Sequence, residues 1–343
     1  MPHFNLALLG FGNVGQALAQ LLQDKAADMH NQYGIETSIT GIATGHHGMA
    51  INPHGLDIST AIELVKTGQN LDSLNIAAAA RDSHTFIQES GADVLFETTP
   101  VNYDTGQPAI SYIQQALELG MHVTTANKGP VVHGYEQLTK AARTHNRKFL
   151  FESAVMDGAP IFSLFRSALP AANLLSFRGI LNSTTNLILS RMEIGESFDE
   201  AVLHAQKIGI AETDPSGDVD GWDAAIKVAA LATVLMGSAI HPAAIKRDGI
   251  RGVSSEMIRE AHEQHKRWKL VCSAQRVGDK ISGQVAPELV SHDSAFYSVE
   301  GTTSIIQFET DVLGELSIIE TNPGPHTTAY GLLADFLNAV LDT

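Results

Sequence analysis

Six residues near the start of the chain, Gly10-Phe11-Gly12-Asn13-Val14-Gly15, limit the fold more than any other feature. They form a G-x-G-x-x-G turn directly after the apolar run Phe4–Leu9, and apolar residues then recur at helical spacing from Val14 to Leu22. Strand, tight turn and helix in that order are half of a βαβ unit. The first glycine permits the turn, the second lets a pyrophosphate approach the backbone, and the third lets helix and strand pack closely. The helix N-terminus adds N–H donors and the positive end of a dipole. Dinucleotide binding through Gly10, Gly12, Asn13, Val14 and Gly15 follows. A turn that merely connects strand and helix is the bland alternative, favoured if the motif stood inside a helix or lacked its strand.

Ser38–Ala43, Asp93–Glu97, His122–Thr125 and Phe149–Phe151 read as further strands, with helices at Ile110–Leu119 and Gly134–Thr144. This alternation predicts an α/β fold, a Rossmann-type doubly wound and mostly parallel sheet that binds ligands at the carboxyl ends of its strands. Beyond residue 152 the pattern changes to a second, α+β domain. A strand lies between Leu174 and Gly179, with helices at Ile180–Arg191, Phe198–Ile208 and Trp222–Met236. A basic helix, Ser255–Lys266, precedes strands at Leu270–Ala274, Ser282–Val285, Phe296–Val299 and Thr303–Glu309, a sheet that could pair across a dimer. Thr327–Val340 is apolar at helical spacing and is placed to return to the nucleotide domain. The expected division is a nucleotide-binding domain over 1–131, with 323–343 returning to it, and a catalytic and dimerisation domain over 132–322.

Charge and cysteine usage narrow the function. A net charge of −16 repels polyanions, so nucleic acid and anionic membrane surfaces are not expected partners. The single cysteine, Cys272, excludes an intrachain disulfide. There is no basic leader segment and no apolar run near the ~18 residues of a membrane span, so a soluble cytoplasmic protein is expected. Asn182-Ser183-Thr184 matches a glycosylation sequon, which without a secretory signal reads as a chance match.

Cofactor choice normally shows at the end of the second strand, where an acid holds a ribose diol or an arginine accepts a 2′-phosphate. Ala43-Thr44-Gly45-His46-His47 supplies neither, so NAD and NADP both remain open. Thr125-Ala126-Asn127-Lys128-Gly129-Pro130 puts Lys128 just past a strand, where a nicotinamide should lie; an exposed lysine on an ordinary turn is the alternative. Between Glu212 and Asp223, five carboxylates fall within twelve residues. Asp223 and Lys227 share a face of a predicted helix, in the acid-before-base order that suits a solvated surface pair. That helix is otherwise apolar, which favours the border of a cleft. The acidic loop lacks the ligand register of a calcium site. Hydride transfer to an aldehyde leaves an alkoxide that a lysine can stabilise and protonate. Lys227 is the candidate, Lys128 could share that role or hold a substrate carboxylate, and Glu212 and Asp223 have the sign to hold an α-ammonium.

Together the Gly10 turn, Ala126-Asn127-Lys128, Gly179-Ile180-Leu181-Asn182-Ser183-Thr184-Thr185-Asn186 and the Glu212–Lys227 run resemble homoserine dehydrogenases in order and spacing, over roughly residues 4–240. The resemblance implies an oxidoreductase that interconverts aspartate β-semialdehyde and homoserine with NAD or NADP, in threonine, methionine and isoleucine biosynthesis. It also implies a homodimer. It makes Lys128 and Lys227 the catalytic lysines, gives the amino-acid portion to Glu212 and Asp223, and lines the pocket with Thr184, Thr185 and Asp218. Thr98, Thr99 and Gly324 would lie beside the cofactor. A monovalent cation, Na⁺ or K⁺, is implied near Glu152, Val155, Asp157 and Ala159, held largely by backbone carbonyls. The sequence departs from the family at Asn322–Ala329, where the glycine-rich stretch is reduced to Gly324, and at Ile210, where an aromatic residue is expected. No regulatory domain follows by Thr343, so feedback inhibition by threonine through one is not expected.

Three rivals stand beside this reading. An aspartate-semialdehyde dehydrogenase needs an activated cysteine, and Cys272 sits in what looks like a buried strand. An amino-acid dehydrogenase is set aside only by the resemblance. A dinucleotide sensor without catalysis would not need Lys128, Asp223 and Lys227.

Overall fold

The computed structural model describes residues 1–76 and 80–341. The chain separates into two compact units, Met1–Pro160 with Gly324–Thr343, and Ile161–Pro323.

The first unit carries β1 (His3–Leu9), α1 (Asn13–Asp24), the single turn α2 (Ala26–Asp28), β2 (Glu36–Ala43), β3 (Met49–Ile51), α3 (Ile58–Lys66), α4 (Ser83–Glu89) and β4 (Val94–Glu97). Then come α5 (Ala109–Glu118), β5 (His122–Thr125), α6 (Lys128–His133), α7 (Tyr135–Thr144) and β6 (Phe149–Leu150). The strand order is β3-β2-β1-β4-β5-β6. All neighbours are parallel except β3, which folds back antiparallel on β2. Strands buried on both faces need helices on both sides, which explains the unbroken apolar runs Leu6–Leu9 and Val94–Phe96. The last helix, Pro325–Val340, packs against α1 and β5 and sends Phe336 into a core with Leu6, Leu18 and Phe96. Because β6 pairs with β5, this unit runs to Pro160 and not to the expected boundary at 131. Of the returning segment 323–343, Asp342 and Thr343 lie outside the described residues.

The second unit carries β7 (Leu174–Ile180), α8 (Ser183–Glu193), α9 (Phe198–Lys207), α10 (Ser216–Val219), α11 (Trp222–Leu235), β8 (Lys246–Arg247), α12 (Ser255–Glu263), β9 (Lys266–Val277), β10 (Lys280–Ser291), β11 (Ser304–Thr310) and β12 (Gly314–Glu320). Its sheet runs β12-β11-β7-β9-β10-β8, antiparallel except where β8 meets β10. Helix α11 lies on β9 and β10 and is buried along most of its length, and its run of alanines allows the close approach.

Three expected elements differ. The helix expected from Ile180 begins at Ser183, because Ile180 ends β7 in register with Ile305 and Asn182 then caps the helix. Lys266, expected to close a basic helix, opens β9. Phe296–Val299 is a turn and not a strand, and its Phe296 and Val299 fill a small core with Ile180, Val271, Val290 and Ile305. No helix among the described residues is long and apolar enough to cross a membrane.

Candidate active site

In the first unit the parallel sheet brings three strand ends side by side. The Gly10 N–H donates to Ala43 O at 3.0 Å, the Thr98 N–H to Leu9 O at 2.8 Å, and the Thr98 hydroxyl to Gly10 O at 3.0 Å. Thr98 therefore lies directly against the glycine turn. Asn13 and Val14 open α1, with Gly12 as its extended N-cap. A Cβ on Gly12 would meet nothing within 4 Å among the described residues, whereas one on Gly15 would lie 2.3 Å from Gly10 O. An open middle glycine between two closely packed ones fits a dinucleotide pyrophosphate, which needs the backbone uncovered at that point.

Glu97, at the end of β4, joins this arrangement from below and was not singled out by the sequence. It is fully buried, and its carboxylate accepts from Thr99 N at 2.8 Å and Thr125 Oγ1 at 2.6 Å, and from the Thr99 hydroxyl. Asn127 Nδ2 donates to Thr99 O at 3.2 Å while its Oδ1 caps α6, taking the Gly129 N–H at 3.0 Å. Lys128 is the first residue of that helix, at the positive end of its dipole. One buried acid thus ties Thr99, Thr125 and Asn127 together beside Lys128. Gly324 caps the last helix through Thr327 Oγ1 at 2.9 Å, and none of the hydrogen bonds of the Gly10 and Thr98 group involves it.

Burial pushes the Glu97 carboxyl above the usual range, and the hydrogen bonds from Thr125, Thr99 and Asn127 oppose that shift. A folded-state pKa above the unfolded value of about 4.3 contributes stability that is complete at lower pH and is lost as pH rises through the folded value. Wild-type urea midpoints are therefore expected to fall relative to Glu97→Gln as pH rises from about 4. Glu97→Ala, which strands several buried donors, should cost about 3 kcal/mol or more at neutral pH. A pH-independent gap between wild type and Glu97→Gln would show that the hydrogen bonds cancel the effect of burial, and a gap that moves the other way would show that they outweigh it.

In the second unit, Asp218, Asp223 and Lys227 meet the start of α8. Lys227 Nζ lies 2.7 Å from Asp223 Oδ2 and donates to Leu181 O at 2.7 Å. The Lys227 and Asp223 side chains are only 15% and 13% exposed, so the pair is not a solvated surface bridge. Asn182 Nδ2 donates to Asp218 Oδ1 at 2.7 Å and to Asp223 Oδ2 at 2.9 Å. Its Oδ1 accepts from Thr185 N at 2.8 Å, and the Thr184 hydroxyl donates to Ile210 O at 3.2 Å. Burial, then the neighbouring charge of Asp223, pushes the Asp218 carboxyl up, against the pull of Asn182, Lys227 and Thr184.

Glu212 is outside this network. Its side chain is exposed, and it is its backbone carbonyl that is held, by Gln206 Nε2 at 3.0 Å. Asn182, which falls within both the sequon and the Gly179–Asn186 segment, is a residue to which the sequence assigns no role of its own. It is 4% exposed, and its place just before Ser-Thr-Thr at a helix start is the capping signal that could have found it. Cys272 is fully buried in β9 and its thiol is pushed up to about 12 by burial, so it cannot act as a nucleophile near neutral pH.

Glu152, Val155, Asp157 and Ala159 lie where the chain leaves β6. The Glu152 N–H donates to Asp335 Oδ2 at 2.6 Å, and Asp157 Oδ2 accepts from Thr327 Oγ1 at 2.9 Å, which holds the last helix. Met156 and Asp157 take φ of 53° and 49°. No group of three or more His, Cys, Asp or Glu side chains placed to hold a metal ion occurs among the described residues.

A dinucleotide turn in one unit and a confined lysine–carboxylate group in the other define a nicotinamide-dependent oxidoreductase, and known proteins agree. A family model described as the homoserine dehydrogenase NAD-binding domain matches residues 10–152, and the homoserine dehydrogenase model matches 160–337. An NAD(+)-dependent homoserine dehydrogenase of Pseudomonas canavaninivorans is 36% identical, over 98% of this chain and 96% of that one. A homoserine dehydrogenase of Methanocaldococcus jannaschii is 35% identical, over 97% and 98%. A solved putative homoserine dehydrogenase from Archaeoglobus fulgidus superposes with a TM-score of 0.85 at 27% identity, covering 98% of each chain. The chain belongs to the homoserine dehydrogenase family.

Proposed function

We propose that this chain interconverts aspartate 4-semialdehyde and homoserine, with Lys227 as the proton donor to the substrate oxygen. The observation that carries this reading is the Lys227 ammonium, held between Asp223 Oδ2 and Leu181 O on a helix that is otherwise apolar. A bound reduced nicotinamide would supply the hydride that the aldehyde carbon takes up. The electron pair left on the carbonyl oxygen then takes a proton from Nζ, and Asp223 holds the lysine in place throughout. In the reverse direction Lys227 accepts the hydroxyl proton.

Gly10, Gly12, Asn13, Val14 and Gly15 would hold the pyrophosphate, with Thr98, Thr99 and Lys128 at the neighbouring strand ends on the nicotinamide side. Gly324 is assigned to the cofactor on resemblance alone. Thr184, Thr185, Asp218 and Asp223 would bind the amino-acid portion, and Lys128 its carboxylate. Glu212, whose side chain is exposed, is assigned to the ammonium on resemblance. His46 and His47 follow β2, so that hairpin presents neither a carboxylate nor a guanidinium to the adenosine ribose.

A monovalent cation is assigned to Glu152, Val155, Asp157 and Ala159. Buried irregular backbone leaves carbonyls to be satisfied, and the Asp157 carboxylate is already engaged by Thr327. A homodimer through the second sheet, whose edge strand β12 leaves Ile319 59% exposed, and a cytoplasmic location complete the proposal.

The test is oxidation of NADH and of NADPH, side by side, with aspartate 4-semialdehyde. Substrate-dependent loss of at least one reduced cofactor is expected, and no loss of either would overturn the reading.

A further inference from the structure

We infer that Asn182 is a positioning residue for this reaction, its side-chain amide holding Asp218 and Asp223 in one arrangement while the adjoining Leu181 carbonyl holds Lys227. The inference rests on the catalytic reading above, but it stands on hydrogen bonds that the turnover assay does not address.

The orientation of the amide is not arbitrary. Asn182 precedes α8 in an extended conformation, and its side-chain oxygen is committed to capping, 2.8 Å from Thr185 N and 2.9 Å from Thr185 Oγ1. A backbone N–H can be met only by the oxygen end, so the NH₂ end must face the other way. Both of its hydrogens are then used, one on Asp218 Oδ1 and one on Asp223 Oδ2. An aspartate or serine would cap the helix equally well but could not donate to two carboxylates at once. The choice of asparagine thus exceeds what the helix requires.

The consequence is electrostatic as well as geometric. Two buried acids that face each other resist sharing negative charge, and a neutral double donor between them relieves this. Among the described residues, the charged and titratable groups around the pair are Lys227 on α11, and Cys272 on β9, which is itself influenced by Lys227, Asp223 and Glu288 of β10. Arg247 of β8 is turned elsewhere, stacking on the Trp222 ring at 3.7 Å and donating to Asp220 O. Without the amide, Asp218 should hold its proton to higher pH and Asp223 should lose its fixed direction toward Nζ.

The test compares Asn182→Ser and Asn182→Asp with the wild-type protein. Both variants keep a capping oxygen, so both are expected to retain far-UV circular dichroism and affinity for NADH or NADPH. Turnover should fall on the order of 10²-fold, with KM for the aldehyde changed much less. The acid limb of the kcat profile should move up by about one pH unit, further in the Asp variant. Carbon-13 NMR titration of the aspartate carboxyls, with Asp218 assigned through Asp218→Asn, should show the same shift without any turnover. A wild-type carboxyl titration in Asn182→Ser would reduce Asn182 to a helix cap and overturn the inference, whether or not activity is lost. Should the Asp variant fail to fold, the Ser variant decides alone. Should the wild-type protein not turn over aspartate 4-semialdehyde, the catalytic reading falls while the NMR comparison still decides this one.

Discussion

Lys227→Ala is expected to lower kcat by ~10²-fold to ~10⁴-fold while leaving the dissociation constant of the reduced cofactor unchanged. The dinucleotide turn and Lys227 belong to different compact units, so binding and proton donation should be separable. Lys227 is held at 2.7 Å by both Asp223 and Leu181 O, an arrangement that fixes where its protons lie. Lys227→Arg sharpens the test, because a guanidinium keeps the positive charge but does not give up its proton near neutral pH. If proton donation is the role, Arg should restore little; if charge alone matters, Arg should recover most of the rate. Equal loss of turnover and cofactor affinity in Lys227→Ala would mark the lysine as structural. Fluorescence titration with NADH and steady-state kinetics on the same preparations separate these outcomes.

What the sequence discloses about this molecule is what adjacent residues decide. The turn Gly10–Gly15 is contained within one strand–helix junction, so the reading from β1 into α1 needs no distant information. Asp223 and Lys227 are four apart on one helix, and their pairing follows from helical geometry. The role of Asn182 could not be read in that way, since its partners lie 36 and 41 residues ahead and reach it only after α8, α10 and α11 pack together. Glu97 was hidden for the same reason, its carboxylate closing on Thr125 and Asn127 across strand ends about thirty residues apart. Phe296–Val299 misleads because its apolar residues resemble a strand. The backbone there is taken instead by side chains, with Lys269 Nζ donating to Val299 O at 2.6 Å and Arg267 to Tyr297 O at 3.1 Å. Burial lowers the Lys269 pKa to about 8. The acidic run reads as one unit in sequence, but the chain turns into α10 between Glu212 and Asp218, and it is Asp218 and Asp223 that share the Asn182 amide.

Gly12 should respond to alanine differently from Gly10 and Gly15, and that contrast is a stronger test of dinucleotide binding than any single loss. At Gly15 a Cβ would lie 2.3 Å from Gly10 O and 3.1 Å from Gly10 C, both backbone atoms that cannot rotate aside. Gly15→Ala should therefore push α1 off β1 and cost about 1–3 kcal/mol of stability, with cofactor binding lost alongside. Gly10 has φ of +106°, and its Cβ would strike Thr98 O and Oγ1 at 2.6 Å, so strain and collision coincide there. Gly12 is different: it has an ordinary φ of −77°, and an added Cβ would project into space with no heavy atom of the described residues within 4 Å. Gly12→Ala should leave the urea midpoint near wild type yet weaken NADH or NADPH binding by on the order of tenfold or more, equivalent to about 1.4 kcal/mol. That penalty can arise only if something outside the protein must occupy the space. Wild-type cofactor affinity in a stable Gly12→Ala protein would place the pyrophosphate elsewhere and remove the physical basis for reading this turn as its cradle.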